Sequence, residues 1–299
     1  MYGDMPTYSD AWDIDSFYEN VEIDISAETR IEEIYRGALC SYVTFSRKLG
    51  NGSLRQTAVL FKDSRALEFR TEIDWQETHK LLKTDFCTNI RTDGIISEIQ
   101  FGNIKRPNHK NRQYDADRFE VPQHKWSALC ETGRYAALLN DCKYGISSDG
   151  GRMSLTLLKS AMDPALNADK GVHAFTYSFM FSRGTVADGN IIRAAYELNC
   201  PAVTVRGHAE ERSYINVSAD NVIVETVKPA FDGSGDTVIR LYEAAGTLTD
   251  FTLTLGFDLQ DAYLTDMLEE NGVPISHDGR NIRLTVSAFK VITLRLKRI

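Results

Sequence analysis

Leu67-Glu68-Phe69-Arg70-Thr71-Glu72-Ile73 sets apolar Leu67, Phe69 and Ile73 against charged Glu68, Arg70 and Glu72 in strict alternation. Side chains of a strand point to opposite faces in turn, so this stretch is a strand with one face in a core and one in water. The same period of two recurs at residues 153–157, at 173–179 with Phe175, Tyr177 and Phe179 on one face, and at 251–255. Residues 282–286 and 291–296 read as two more strands joined by a short turn. Helical spacing is confined to residues 161–168 and 187–198, where Ile191, Ile192, Ala195 and Leu198 make an apolar stripe. Gly50-Asn51-Gly52, Asp93-Gly94, Asp149-Gly150-Gly151 and Asp278-Gly279 supply turn chemistry between the strands. The pattern predicts an all-β chain of antiparallel sandwiches.

Val227-Lys228-Pro229-Ala230-Phe231-Asp232-Gly233-Ser234-Gly235-Asp236 interrupts two strongly apolar strands with Pro and small residues. It predicts a boundary, with a large sandwich over residues 1–228 and a small one over 229–299.

The 299 residues carry 34 Lys and Arg against 42 Asp and Glu, a net charge of −8. An acidic chain lacks the cationic field that phosphate backbones and anionic lipid require, so neither a nucleic-acid nor a membrane partner is expected. No apolar run approaches the roughly 18–20 residues of a membrane span, and the start has neither the basic nor the apolar part of a signal peptide. A cytoplasmic protein is expected. The five cysteines (40, 87, 130, 142 and 200) are odd in number and scattered, which predicts buried free thiols. There is no C-x-x-C and no pair of histidines at helical i, i+4 spacing, so no metal site is predicted.

Nucleophile elbows, phosphate loops and dinucleotide loops are all missing. Three features remain. The stretch from Asn103 to Arg112 is the most basic, and its Arg106 and Arg112 could fork onto an anionic or hydroxyl-rich ligand, or merely solvate a loop. Leu138-Leu139-Asn140-Asp141-Cys142-Lys143-Tyr144-Gly145 passes from an apolar strand into polar groups. It reads either as an Asx-turn closing a hairpin or as a sugar-facing loop, with Asn140, Asp141 and Lys143 on hydroxyls and Tyr144 over a pyranose face. Trp12, Trp75 and Trp126 each adjoin polar residues and read as indoles wedged beneath loops; a surface row of them would suit a carbohydrate-binding module.

Several stretches taken together resemble the C-terminal β region of the α-mannosidases of glycoside hydrolase family 38, in its bacterial branch. They include Trp12-Asp13-Ile14-Asp15, residues 67–75, His79-Lys80-Leu81-Leu82-Lys83 and Glu98-Ile99-Gln100-Phe101-Gly102. Arg106-Pro107-Asn108-His109, His124-Lys125-Trp126, residues 138–145 and Arg240-Leu241-Tyr242-Glu243-Ala244 continue the match in order along the chain. The resemblance implies a large sandwich of the galactose-mutarotase-like super-sandwich type followed by a small terminal sandwich. It implies the β part of a retaining enzyme that hydrolyses terminal α-mannosides. The family's aspartate nucleophile and zinc ligands belong to an N-terminal catalytic domain that nothing here resembles. Hence no catalytic residue, metal or cofactor is expected in this chain, zinc is expected in that other domain, and the chain alone is expected to be inactive.

Its implied partners are that catalytic domain and the mannoside; homo-oligomerisation is left open. The resemblance also places the loop at 140–145 and the end of the following strand near the sugar, with Lys159 where the family has the first of two Arg. A Lys keeps the charge but not the planar fork. Asn140, Asp141, Lys143, Tyr144, Lys159, Arg106 and His109 are thus the candidate substrate-binding residues. The competing readings are an independent carbohydrate-binding module and a purely structural or oligomerising sandwich.

Overall fold

The computed structural model describes residues 1–299, and the chain divides into two compact units. The first comprises residues 1–98, 104–185 and 194–200; the second comprises 99–103, 186–193 and 201–299.

In the first unit a nine-stranded antiparallel sheet runs in the order Thr29–Arg36, Cys40–Leu49, Gly52–Phe61, Ala66–Trp75, Gly171–Arg183, Arg134–Asn140, Trp126–Glu131, Gly94–Ile99 and Gly102–Pro107. A five-stranded sheet runs Tyr2–Gly3, Lys80–Cys87, Arg152–Lys159, Gly145–Asp149 and Val121–Pro122. The alternation at residues 67–73 does its work here: Ile73 and Trp75 are fully buried and Phe69 packs on the core, while Arg70 and Glu72 are exposed. Phe69 lies opposite Tyr177 in the register, and the two rings stack at 5.1 Å. Phe86, from the smaller sheet, stacks on Phe179 of the larger at 4.8 Å, so the aromatic cluster locks the sheets face to face. Polar groups drawn into this core are paired: Gln56 Nε2 donates to Thr71 Oγ1 and to Tyr177 Oη, each at 2.8 Å.

The hairpin at Gly50-Asn51-Gly52 forms as predicted, and a Cβ on Gly52 would run into the carbonyl oxygen of Asp74. Asp149-Gly150-Gly151 closes the hairpin between Gly145–Asp149 and Arg152–Lys159. Residues 161–168 are not helical but a run of turns. One carboxylate oxygen of Asp10 takes the N–H groups of Met162 and Asp163, and Pro164 disfavours a helical Asp163. The second predicted helix is present over Asn190–Asn199, with Ile191, Ile192 and Ala195 buried.

The second unit is a smaller sandwich. One sheet is Ile215–Val217, Thr249–Leu255 and Asn281–Val286; the other is Val222–Pro229, Thr237–Glu243, Val291–Arg298, Leu259–Thr265 and Val273–Pro274. Strands Asn281–Val286 and Val291–Arg298 therefore do not pair with each other but enter opposite sheets. The boundary expected at 228/229 is corrected. Val222–Pro229 and Thr237–Glu243 form a hairpin within this unit, and residues 230–236 are its turn. A Gly-containing hairpin turn preceded by Pro229 has the composition of a linker, which is why the two look alike in sequence. No helix is long and apolar enough to cross a membrane.

The cysteines are free, but the expectation that they are buried fails: Cys87, Cys142 and Cys200 are exposed and Cys40 and Cys130 half-buried. The tryptophans divide. Trp75 and Trp126 are 0% and 1% exposed, whereas Trp12 is 75% exposed.

Candidate functional site

The candidate residues lie at opposite ends of the five-stranded sheet. The hairpin turn at 149–152 marks one end, and Arg152–Lys159 runs from it for seven residues, roughly 20 Å, to Lys159.

Arg106 and His109 belong to the hairpin end. Asn108 between them is buried; its Nδ2 donates to the carbonyl of Gly150 at 2.7 Å, and its own carbonyl accepts from Gly150 N–H. His109 Nδ1 lies 3.7 Å from Asp115 Oδ2, and Arg112 grips that carboxylate with Nε and Nη2, both at 2.8 Å. The Arg112 fork holds Asp115 below the usual carboxylate range. This end is a polar cluster at the surface, with Arg112 exposed, and it is remote from Lys159. One cleft therefore cannot gather all seven candidates, and Arg106 and His109 separate from the rest.

The loop at 140–144 leads into Gly145, which lies across from the Thr156 side of its partner strand, and so belongs to the Lys159 end. Asn140 is 0% exposed. Its Nδ2 donates to the carbonyl of His124 at 2.8 Å and its Oδ1 accepts from Lys143 N–H, three residues on, at 2.7 Å; Asn140 thus ties its own loop, but the loop closes no hairpin, since it carries the chain from the larger sheet to the smaller. A side chain so enclosed is out of a ligand's reach, which corrects its assignment to sugar binding. Asp141 Oδ2 accepts from Thr176 N–H at 2.8 Å, holding the loop against the larger sheet. Although Cys142 is exposed as a residue, desolvation of its partly enclosed thiol, then neighbouring Asp141, pushes that thiol up to about 11. Lys143 places its ammonium 4.3 Å from the Phe175 ring centre, and Tyr144 is exposed with its ring 5.8 Å from His124.

Lys159 extends to Asp4, whose carboxylate it contacts. Asp4 is 2% exposed, and its other oxygen is buried with no hydrogen-bond partner. Burial raises its carboxyl above the usual range against the pull of Lys159. Beside it, Asp10 Oδ1 lies 3.6 Å from His79 Nδ1. Burial opposes the charge on Asp10, but the N–H groups of Met162 and Asp163 outweigh it and hold the carboxyl low. Three segments converge here: the N-terminal loop, the connection ending at Lys80 with His79 at φ +48°, and the end of strand Arg152–Lys159. Asp4, Asp10 and His79 were not among the sequence candidates. The signal for them was the matched Trp12-Asp13-Ile14-Asp15 and His79-Lys80 stretches, which carried no chemistry until folding brought them to Lys159.

The model of the glycosyl hydrolases family 38 C-terminal domain matches residues 1–167, and that of the family 38 C-terminal beta sandwich domain matches residues 221–294. The chain belongs to glycosyl hydrolase family 38. Alpha-mannosidase 2C1 of Homo sapiens is 37% identical over 99% of this chain and 29% of its own length. Alpha-mannosidase G of Dictyostelium discoideum is 38% identical over 99% of this chain and 28% of its own length. The family 38 chain described here thus spans less than a third of the curated relatives it matches. An alpha-mannosidase from Enterococcus faecalis V583 shares its fold, with a TM-score of 0.74 over 92% of this chain and 35% of that one at 15% identity. The start of the second match at 221, ahead of strand Val222–Pro229, agrees with placing that strand in the smaller sandwich. No three His, Cys, Asp or Glu side chains converge as metal ligands.

Proposed function

We propose that this chain is the C-terminal β region of a retaining α-mannosidase that hydrolyses terminal α-mannosides in the intact enzyme. It packs on the N-terminal catalytic domain and lends the Lys159 end of its smaller sheet to the sugar cleft. The observation that carries this reading is similarity to two α-mannosidases along nearly the whole chain. The nucleophile and zinc belong to the catalytic domain, and no bond is cleaved by this region's own groups. Lys143, Tyr144 and Lys159 face the cleft, with Asn140 and Asp141 shaping the loop. Five unpaired cysteines suit a reducing, cytoplasmic setting. A stand-alone carbohydrate-binding module is disfavoured, since Trp75 and Trp126 are spent on the core and make no surface row.

The intact enzyme, given an aryl α-mannoside and followed by proton NMR, should release the α-anomer of mannose first, because two displacements retain configuration. First release of the β-anomer would rule out the retaining mechanism.

A further inference from the structure

We propose that the outer three strands of the nine-stranded sheet, Thr29–Arg36, Cys40–Leu49 and Gly52–Phe61, form a docking strip for one amphipathic helix from the N-terminal portion of the same enzyme. This rests on reading the chain as the C-terminal region of a longer α-mannosidase, and it adds the surface through which the two portions meet.

Register decides which side chains share a face. Ile34 lies opposite Val43, Val43 opposite Ala58 and Ala58 opposite Phe69, so all four point to the side on which Phe69 meets Phe86 of the smaller sheet. Ile31 lies opposite Phe45 and Phe45 opposite Gln56, whose side chain reaches Tyr177 on that same side. The register shift between Ile31 and Glu33 is what turns both isoleucines of this edge strand inward. Leu60, two residues beyond Ala58, joins them.

The core does not reach these side chains. Of the three outer strands, only Leu49 and Leu54 belong to it or pack on it. Ile31, Ile34 and Leu60 are 60%, 61% and 47% exposed, and Val43, Phe45 and Ala58 are half-buried beside them. A contiguous apolar face left in water marks a contact surface.

Size, width and charge define the occupant. Six side chains are few against the roughly 20–30 residues a side of a standard interface between separate chains, but they suffice for a partner tethered in the same polypeptide. More than two thirds of each α-mannosidase relative lies outside the region this chain matches, which supplies such a partner. Three strands at roughly 4.8 Å spacing make a strip about 10–14 Å across, the width of one helix with its side chains. Arg36, two residues beyond Ile34, and Arg47, opposite Leu54, stand on the same face at its two ends, so the helix should flank its apolar stripe with Asp or Glu.

The test uses the intact enzyme. Ile34→Cys and Leu60→Cys should react with a maleimide roughly tenfold more slowly than Glu72→Cys on the opposite face, each scaled to its own rate in urea and read on the peptide that carries it. In Arg36→Lys, a carbodiimide should join residue 36 to an Asp or Glu of the N-terminal portion of the same polypeptide, in a segment with apolar residues three and four apart. Comparable labelling at all three positions would overturn the docking strip. So would a link to a second copy, or to a segment without that spacing. An intact enzyme that shields both positions but does not hydrolyse 4-nitrophenyl α-mannoside would overturn the mannosidase reading while supporting the strip.

Discussion

Glu243 sits 0% exposed in the smaller sandwich with both oxygens occupied. Oε1 accepts from Asn221 Nδ2, Ala245 N–H and Thr247 Oγ1, and Oε2 accepts from the N–H groups of Gly246, Thr247 and Phe289. Glu243→Gln turns one acceptor into a donor aimed at donors, so it should cost about 2–4 kcal/mol of this unit's stability, read by denaturant unfolding. Burial disfavours the charge, but the converging donors hold the carboxyl below the ordinary glutamate value of 4.5. The stability it contributes is full above that value and drains as pH falls through the lower folded one, so the Gln variant should lose this part of the acid dependence. The tryptophans give a second residue-scale prediction: Trp126→Ala should cost about 3–5 kcal/mol, and Trp12→Ala within about 0.5 kcal/mol, by the same measurement. Sequence placed all three in polar surroundings; only packing separates a core indole from an exposed one.

At the scale of elements, the strands were legible because alternation at 67–73, 173–179 and 251–255 is a local property of the chain. The failed helix at 161–168 was not, since Asp10 takes its N–H groups from about 150 residues away. The misplaced boundary has a similar cause, and it leads to a prediction. Residues 201–214 are exposed and outside regular structure. The turn at 230–236 is closed by Ala230 N–H on the Asp236 carbonyl and by Arg295, which reaches Asp236, Asp232 and Ser234. Thermolysin should therefore cut first beside Val203 or Val205, although Phe231 is equally exposed. A first cut at Phe231 would show that the clamp does not hold. Ser234 N–H and Arg295 hold Asp232 down to about 2. The clamp is thus present above the ordinary aspartate range and lost as pH falls toward 2, where cleavage at Phe231 by an acid-active protease should rise.

At the scale of the whole molecule, the chain is a pair of β-sandwiches in family 38, and the candidate site was only half legible. The 140–145 loop was singled out from its own residues, and Lys159 from the resemblance. Their separation from Arg106 and His109 depends on strand direction, which the order of residues does not state. The proposed role asks no bond cleavage of this chain, and acids such as Asp115 and Glu243 are saturated by internal donors. The most direct test is hydrolysis of 4-nitrophenyl α-mannoside by this chain alone and by the intact enzyme, side by side, with and without zinc. The account predicts turnover by the intact enzyme and none by the chain under either condition. Zinc-dependent turnover by the chain alone, abolished by replacing one of its own carboxylates, would contradict it.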